Sequence, residues 1–193
     1  MTLVDHNYPN HKIIINNQNY SCKAGGILPY TIINNNIYFL LQKQYSKKNT
    51  NKESLYSDFG GKREKTDPNI GYTAAREFSE ETNGIFFTKS QNSNLNQNIK
   101  TSTIITESLL KHHLPLYIYN YNGKYLIYLL YVYPININKF DNIEFFTKLK
   151  RTCEWINGKL LINDDFINTK LQYRLRKGLK KTISKLLQST FSH

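Results

Sequence analysis

The chain has 193 residues, with 26 Lys and Arg against 14 Asp and Glu, a formal net charge of +12. That length suits one domain with a sizeable core, and two cysteines, Cys22 and Cys153, exclude a disulfide framework and fit a reducing cytoplasm. The start "MTLVDHNYPN" reads as no secretory signal, the longest apolar run "YLIYLLYVYPI" is too short to span a bilayer, and the positive balance points either to anionic partners or to a solvated basic face.

Residues 12–44 read as strands joined by turns, with Ile37 to Leu41 a short buried strand. "INNNI" between apolar runs predicts a hairpin tip, since Asn tolerates left-handed backbone. Residues 45–54 are polar and read as a loop. A glycine- and acid-rich stretch follows from Gly60 to Gly84, with a helix from about Asp67. "IFF" (Ile85 to Phe87) reads as a returning strand, and residues 88–102 as a long polar, flexible insertion. Asn122-Gly123 between apolar runs predicts a second hairpin. "TCEWINGKLL" reads as a strand and turn. Over residues 168–190, Leu171, Leu175, Leu179, Ile183 and Leu187 recur every fourth residue and predict an amphipathic, basic helix. Strands mixed with two good helices predict a single α/β domain over residues 1–193, with helices on both sides of a sheet.

The stretch "GGKREKTDPNIGYTAAREFSEETNG" sets Glu77, Glu80 and Glu81 within five residues of one another in a basic chain. Like charges at helical spacing repel by a few tenths of a kcal/mol per pair. Gly60-Gly61 lets the backbone turn tightly and approach a ligand. Asp67-Pro68 predicts the helix start, with Asp67 as N-cap. On that helix Glu77 shares a face with Glu80 and Glu81. Convergent carboxylates without Cys or His nearby suit a hard divalent cation such as Mg²⁺. The same acids also fit a solvated helix face paired with Arg76, Lys62, Arg63 and Lys65.

These residues resemble the Nudix box: Gly, five residues, Glu, seven residues, Arg-Glu, an apolar residue, any residue, Glu-Glu, any residue, Gly. Gly61 begins the pattern here, Asp67 stands where the first Glu is expected, and Arg76-Glu77-Phe78-Ser79-Glu80-Glu81 matches the core without a gap. The departures are Asp for Glu at 67, one extra residue before Arg76, and Asn83 in the last glycine's place with Gly84 after it. The resemblance implies a Nudix-type α/β/α sandwich with a mixed β-sheet, and hydrolysis of a diphosphate joined to another group with Mg²⁺ or Mn²⁺. It implies Glu77, Glu80 and Glu81 as metal ligands, with the Gly61 carbonyl as a further one. Arg76 would brace loop and helix by pairing with an acid of the loop. Asp67 would take the first Glu's role, with Glu64 competing for it. A general base in such enzymes often lies outside the box, and the late acids are Glu144 and Glu154; each also fits an ordinary surface or core-edge residue.

Substrate choice lies outside the box. The C-terminal helix carries Lys170, Arg174, Arg176, Lys177, Lys180, Lys181 and Lys185 and no acid after Asp165. Arg174, Lys177, Lys180 and Lys181 would then track an RNA backbone, similar in layout to mRNA-decapping Nudix enzymes, or simply form a solvated face. Trp155 and Tyr133 are candidates to stack on a base, or to pack a core. The expected substrate is therefore a nucleotide-type diphosphate, with the 5′ cap of mRNA as one candidate. A coenzyme A-type pyrophosphatase and a non-catalytic nucleotide- or RNA-binding module are the alternatives.

Overall fold

In the computed structural model, which describes residues 12–15, 17–44, 54–88, 94–113, 115–136 and 151–190, Asn34 and Asn35 both adopt left-handed backbone, with φ of 48° and 58°. Two consecutive left-handed residues give the turn whose twist matches paired strands. They close the hairpin between β3 (Ala24–Ile33) and β4 (Asn36–Gln44), with Ile33 opposite Asn36. The class is α/β, a mixed sheet with flanking helices. Contacts within the chain group into two compact units, residues 1–27 with 59–130 and residues 28–58 with 131–193.

The first unit contains the hairpin of β1 (Lys12–Ile15) and β2 (Gln18–Ser21), and the start of β3 paired antiparallel with β6 (Phe59–Lys62). It also holds α1 (Ile70–Glu81), α2 (Leu95–His112) and the hairpin of β7 (Tyr117–Asn120) with β8 (Tyr125–Tyr131, through Leu130 in this unit). In β8, Tyr125 to Leu130 are all buried, as expected of a run that alternates little. Asn122-Gly123 does sit in the β7–β8 turn, but the left-handed residue is Lys124, with φ of 49°. α1 buries Ile70, Ala74, Ala75 and Phe78. The small side chains let α2 come close, and Ser79 Oγ donates to Ser102 Oγ at 2.9 Å across the two helices.

Three expectations change here. The N-cap of α1 is Asn69, whose Oδ1 accepts from the Tyr72 amide at 2.8 Å, because the Asp67 carboxylate is taken by other donors. Ile85 to Phe87 form turns rather than a strand. The left-handed pair Asn83 and Gly84, φ 50° and 69°, reverses the chain directly after α1. Of the expected flexible insertion 88–102, residues 95–102 are helical and belong to α2; residues 89–93 lie outside the described residues, as do 45–53 of the polar loop.

The second unit holds the rest of β3, β4, β5 (Leu55–Ser57), β9 (Arg151–Asn157), a 3-10 turn at Leu160–Ile162, α3 (Asp164–Lys170) and α4 (Tyr173–Thr190). β4 pairs antiparallel with β5 and with β9, where Leu40 faces Trp155 and Leu41 faces Glu154. The expected single helix over residues 168–190 is divided. Leu171 forms a parallel bridge with Tyr56, and Lys177 and Gly178 leave helical geometry, Gly178 with φ of 83°. The apolar stripe survives: Leu171, Leu175, Leu179 and Ile183 are fully buried. Leu187 gives way to Leu186, because seven residues return closer to the same face than eight.

Candidate active site

β6 ends in Gly60-Gly61-Lys62, and α1 packs against it. Arg76 projects from the middle of α1 into the loop that joins them. Its Nε meets Asp67 Oδ1 at 3.0 Å and its Nη2 meets Asp67 Oδ2 at 3.1 Å. Nη2 also donates to the Lys62 carbonyl at 3.2 Å and approaches Glu77 Oε1 at 3.0 Å. Nη1 reaches Glu80 Oε2 at 3.0 Å and lies 3.8 Å from Glu64 Oε1. One guanidinium thus faces four carboxylates, and its planar fork is suited to such sharing.

Asp67 is held from several sides. Its Oδ2 also accepts from the Glu64 amide at 2.8 Å and from Thr73 Oγ1 at 3.0 Å. Burial alone would raise this carboxyl, but the hydrogen bonds from Arg76, Glu64 and Thr73 outweigh it and hold it below the ordinary value. Both of its oxygens are engaged, so its place is to fix the loop; Glu64 is largely exposed and touches only the rim of the cluster.

The three box glutamates are handled differently. Glu81 is buried, and its Oε2 accepts from the Gly60 amide at 3.0 Å. Glu77 lies against Gly61: a Cβ there would stand 2.3 Å from Glu77 Oε2. Glu80 is nearly half-exposed. Burial raises the carboxyls of Glu77 and Glu80 above the ordinary value, although Arg76 pulls the other way. Arg76 is itself raised: burial opposes its charge, and the bond to Asp67 and the fields of Glu77 and Glu80 more than offset that. Among the described residues, no three His, Cys, Asp or Glu side chains form a ready metal cage. Arg76 supplies the positive charge between Glu77 and Glu80. The donor set is nonetheless all oxygen, and Glu77 fills space that only a glycine at 61 leaves open. The residues present therefore suit a hard divalent cation.

The remaining candidates lie in the second unit. Glu154 accepts a hydrogen bond from the Tyr56 hydroxyl; Glu144 lies outside the described residues. Arg174 turns inward: its Nε pairs with the fully buried Asp58 at 2.8 Å and its Nη2 bonds to Ser57 Oγ. It is not part of an exposed basic face. Lys180 pairs with Asp164 at 2.7 Å, and Lys177 and Lys181 are exposed. Trp155 donates to the Ile135 carbonyl at 3.2 Å, whereas Tyr133 is 80% exposed. In the sequence Gly60 reads only as a turn residue; the structure adds its amide bond to Glu81 and the Thr73 hydroxyl's bond to Asp67.

No protein-family model matches this chain. The uncharacterized protein L534 of Acanthamoeba polyphaga mimivirus is 41% identical over 85 residues, which are 42% of this chain and 27% of that protein. The match thus spans less than a third of that relative's length. Among solved structures, a C. elegans Ap4A hydrolase has a TM-score of 0.49 at 17% identity, covering 86% of this chain and 99% of that one. The Nudix hydrolase RenU of M. smegmatis has a TM-score of 0.32 at 10% identity, covering 93% of this chain and 94% of that one.

Proposed function

We propose that this chain is a Nudix-type hydrolase that cleaves a diphosphate linkage in a nucleotide derivative with Mg²⁺ or Mn²⁺. The observation that carries this reading is the seating of the box glutamates, Glu77 on Gly61 and Glu81 on the Gly60 amide, at the end of β6. Glu77, Glu80 and Glu81, with the Gly61 carbonyl, would hold the cation. When bound, the cation polarises a phosphoryl oxygen and lowers the pKa of a bound water. Arg76 and Asp67 hold the loop against α1 so that the glycines and glutamates stay in register. Glu80, nearly half-exposed, would either complete the cation site or take a proton from an incoming water once the Arg76 pairing is released.

The test is turnover of a panel of capped RNA, NADH, ADP-ribose, coenzyme A and diadenosine polyphosphates, with Mg²⁺ or Mn²⁺ and with EDTA. Metal-dependent release of a phosphate-bearing product supports the reading, and the preferred substrate separates the cap, coenzyme A and dinucleotide versions. A specific observation favours a second reading, a nucleotide-binding module without catalysis: Arg76 already balances Glu77 and Glu80. No turnover across the panel, with nucleotide binding retained, selects it.

A further inference from the structure

Three segments far apart in sequence meet at one end of the first unit. The Lys23 amide donates to the Lys124 carbonyl at 2.8 Å, and the Arg63 amide donates to the Lys23 carbonyl at 3.1 Å. Ala24 is the ladder partner of Lys62. These backbone bonds tie the β2–β3 connection, the end of β6 and the β7–β8 turn into one edge. Lys23, Lys62, Arg63, Lys65 and Lys124 on it are all exposed. Over residues 17–28, 59–66 and 117–126 the only acid is Glu64, and that acid leans toward Arg76.

Three tyrosines adjoin this edge. The Tyr119 hydroxyl donates to the Ser21 carbonyl at 2.8 Å, which anchors its ring. The rings of Tyr119 and Tyr121 stand 4.8 Å apart and edge-to-face, and Tyr20 lies 5.2 Å from Tyr121 and 5.5 Å from Tyr119. Tyr119 is buried beneath, while Tyr121 is 53% exposed. An exposed ring braced by two others loses little freedom when a flat partner stacks on it. The edge also touches the acid cluster, because the Lys62 carbonyl accepts from Arg76.

We infer that this edge binds a nucleobase carried on a chain of phosphates, with the base on Tyr121 and the phosphates along Lys23, Lys124 and Arg63. Interleaved cations and aromatic rings are the means by which proteins hold unpaired bases and their phosphates. The inference deepens the proposed function by naming the far end of the substrate: a base separated from the acid cluster by several phosphates. A nucleoside triphosphate and the triphosphorylated 5′ end of an RNA share that chemistry.

The experiment is equilibrium binding in EDTA, with ATP, inorganic tripolyphosphate and a 5′-triphosphorylated RNA hexamer as probes. Tyr121→Ala should weaken ATP and RNA binding roughly 5- to 100-fold and leave tripolyphosphate unchanged, with Tyr121→Trp restoring the loss. The double variant Lys23→Glu, Lys124→Glu should weaken all three probes and flatten the salt dependence. Both variants should melt with the wild type. RNA binding tighter than ATP assigns the site to an RNA end, and equal binding assigns it to a free nucleotide. Unchanged ATP binding in Tyr121→Ala, or unchanged tripolyphosphate binding in the double variant, overturns the inference. Because binding is read without metal, its loss is distinct from failure of the hydrolase reading, which shows as absent turnover.

Discussion

Arg76 and Asp67 are joined twice, Nε to Oδ1 at 3.0 Å and Nη2 to Oδ2 at 3.1 Å, with the Asp67 side chain only 1% exposed. Removing one member of such a pair leaves the other charged and under-solvated, which costs ~3–5 kcal/mol when burial is complete. Arg76 keeps Glu77 and Glu80 as partners, so Asp67→Asn is expected at the lower end, about 2–3 kcal/mol. For a chain of this size that lowers Tm by roughly 5–10 °C. Thermal unfolding by circular dichroism checks it; an unchanged Tm would mean that the pair does not fix the loop.

Glu81 allows binding and folding roles to be separated. Glu81→Gln keeps an oxygen that can accept from the Gly60 amide, now 3.0 Å from Oε2, so the fold should persist. It removes a negative charge from the cation site. The expected result is a fall in turnover of ~100-fold or more with Tm nearly unchanged. Wild-type rates in this variant would remove Glu81 from the site.

The two glycines of β6 should respond differently to alanine. A Cβ on Gly61 would meet the Glu77 carboxylate at 2.3 Å, the end of a flexible side chain that can swing away. Gly61→Ala should therefore fold, with Glu77 displaced and metal-dependent turnover lost. A Cβ on Gly60 would lie 2.4 Å from Gly26 Cα and 2.5 Å from the Gly25 carbonyl, where paired backbone cannot yield. Gly60→Ala should express poorly or melt far below the wild type. Equal stability of the two variants would contradict this account of β6.

The hairpins were legible because their signals are local. Asn tolerates left-handed backbone, Asn34 and Asn35 both adopt it, and the β3–β4 register follows from the turn they make. Helical spacing puts Glu77 on one face with Glu80 and Glu81, whereas Gly61 and Asp67 lie before α1 and are singled out by the resemblance to the box. What the sequence hid was decided by distant partners. Asp67 reads as a helix cap until Arg76 claims it, and Asn69 then caps α1. Residues 95–102 read as low-complexity polar chain, yet Ser102 reaches Ser79, and a Cβ on Gly84 would come within 2.8 Å of the Asn98 carbonyl. Arg174 reads as one of seven surface cations, and only the fold shows buried Asp58 beside it. The edge of Lys23, Arg63, Lys124 and Tyr121 comes from three separate segments, so no motif announces it.

Buried weak acids of the first unit give the stability curve an alkaline limb. Burial pushes the Cys22 thiol up to about 12 from 9.0. It likewise pushes the Tyr119 hydroxyl up to about 12, with Cys22 and the neighbouring tyrosines adding to it, and raises fully buried Tyr128 well above its ordinary value. Each folded-state value lies above the unfolded one, so between the two the folded chain holds more protons. Stability is then complete below about pH 9 and falls as pH rises, by about 1.4 kcal/mol per pH unit for each group ionised only when unfolded. Urea midpoints should be flat from about pH 7 to 8.5 and decline above about 9. Cys22→Ala should delay the decline to about pH 10, where unfolded tyrosines begin to ionise. A decline that still starts at about pH 9 without the thiol would remove Cys22 as its source.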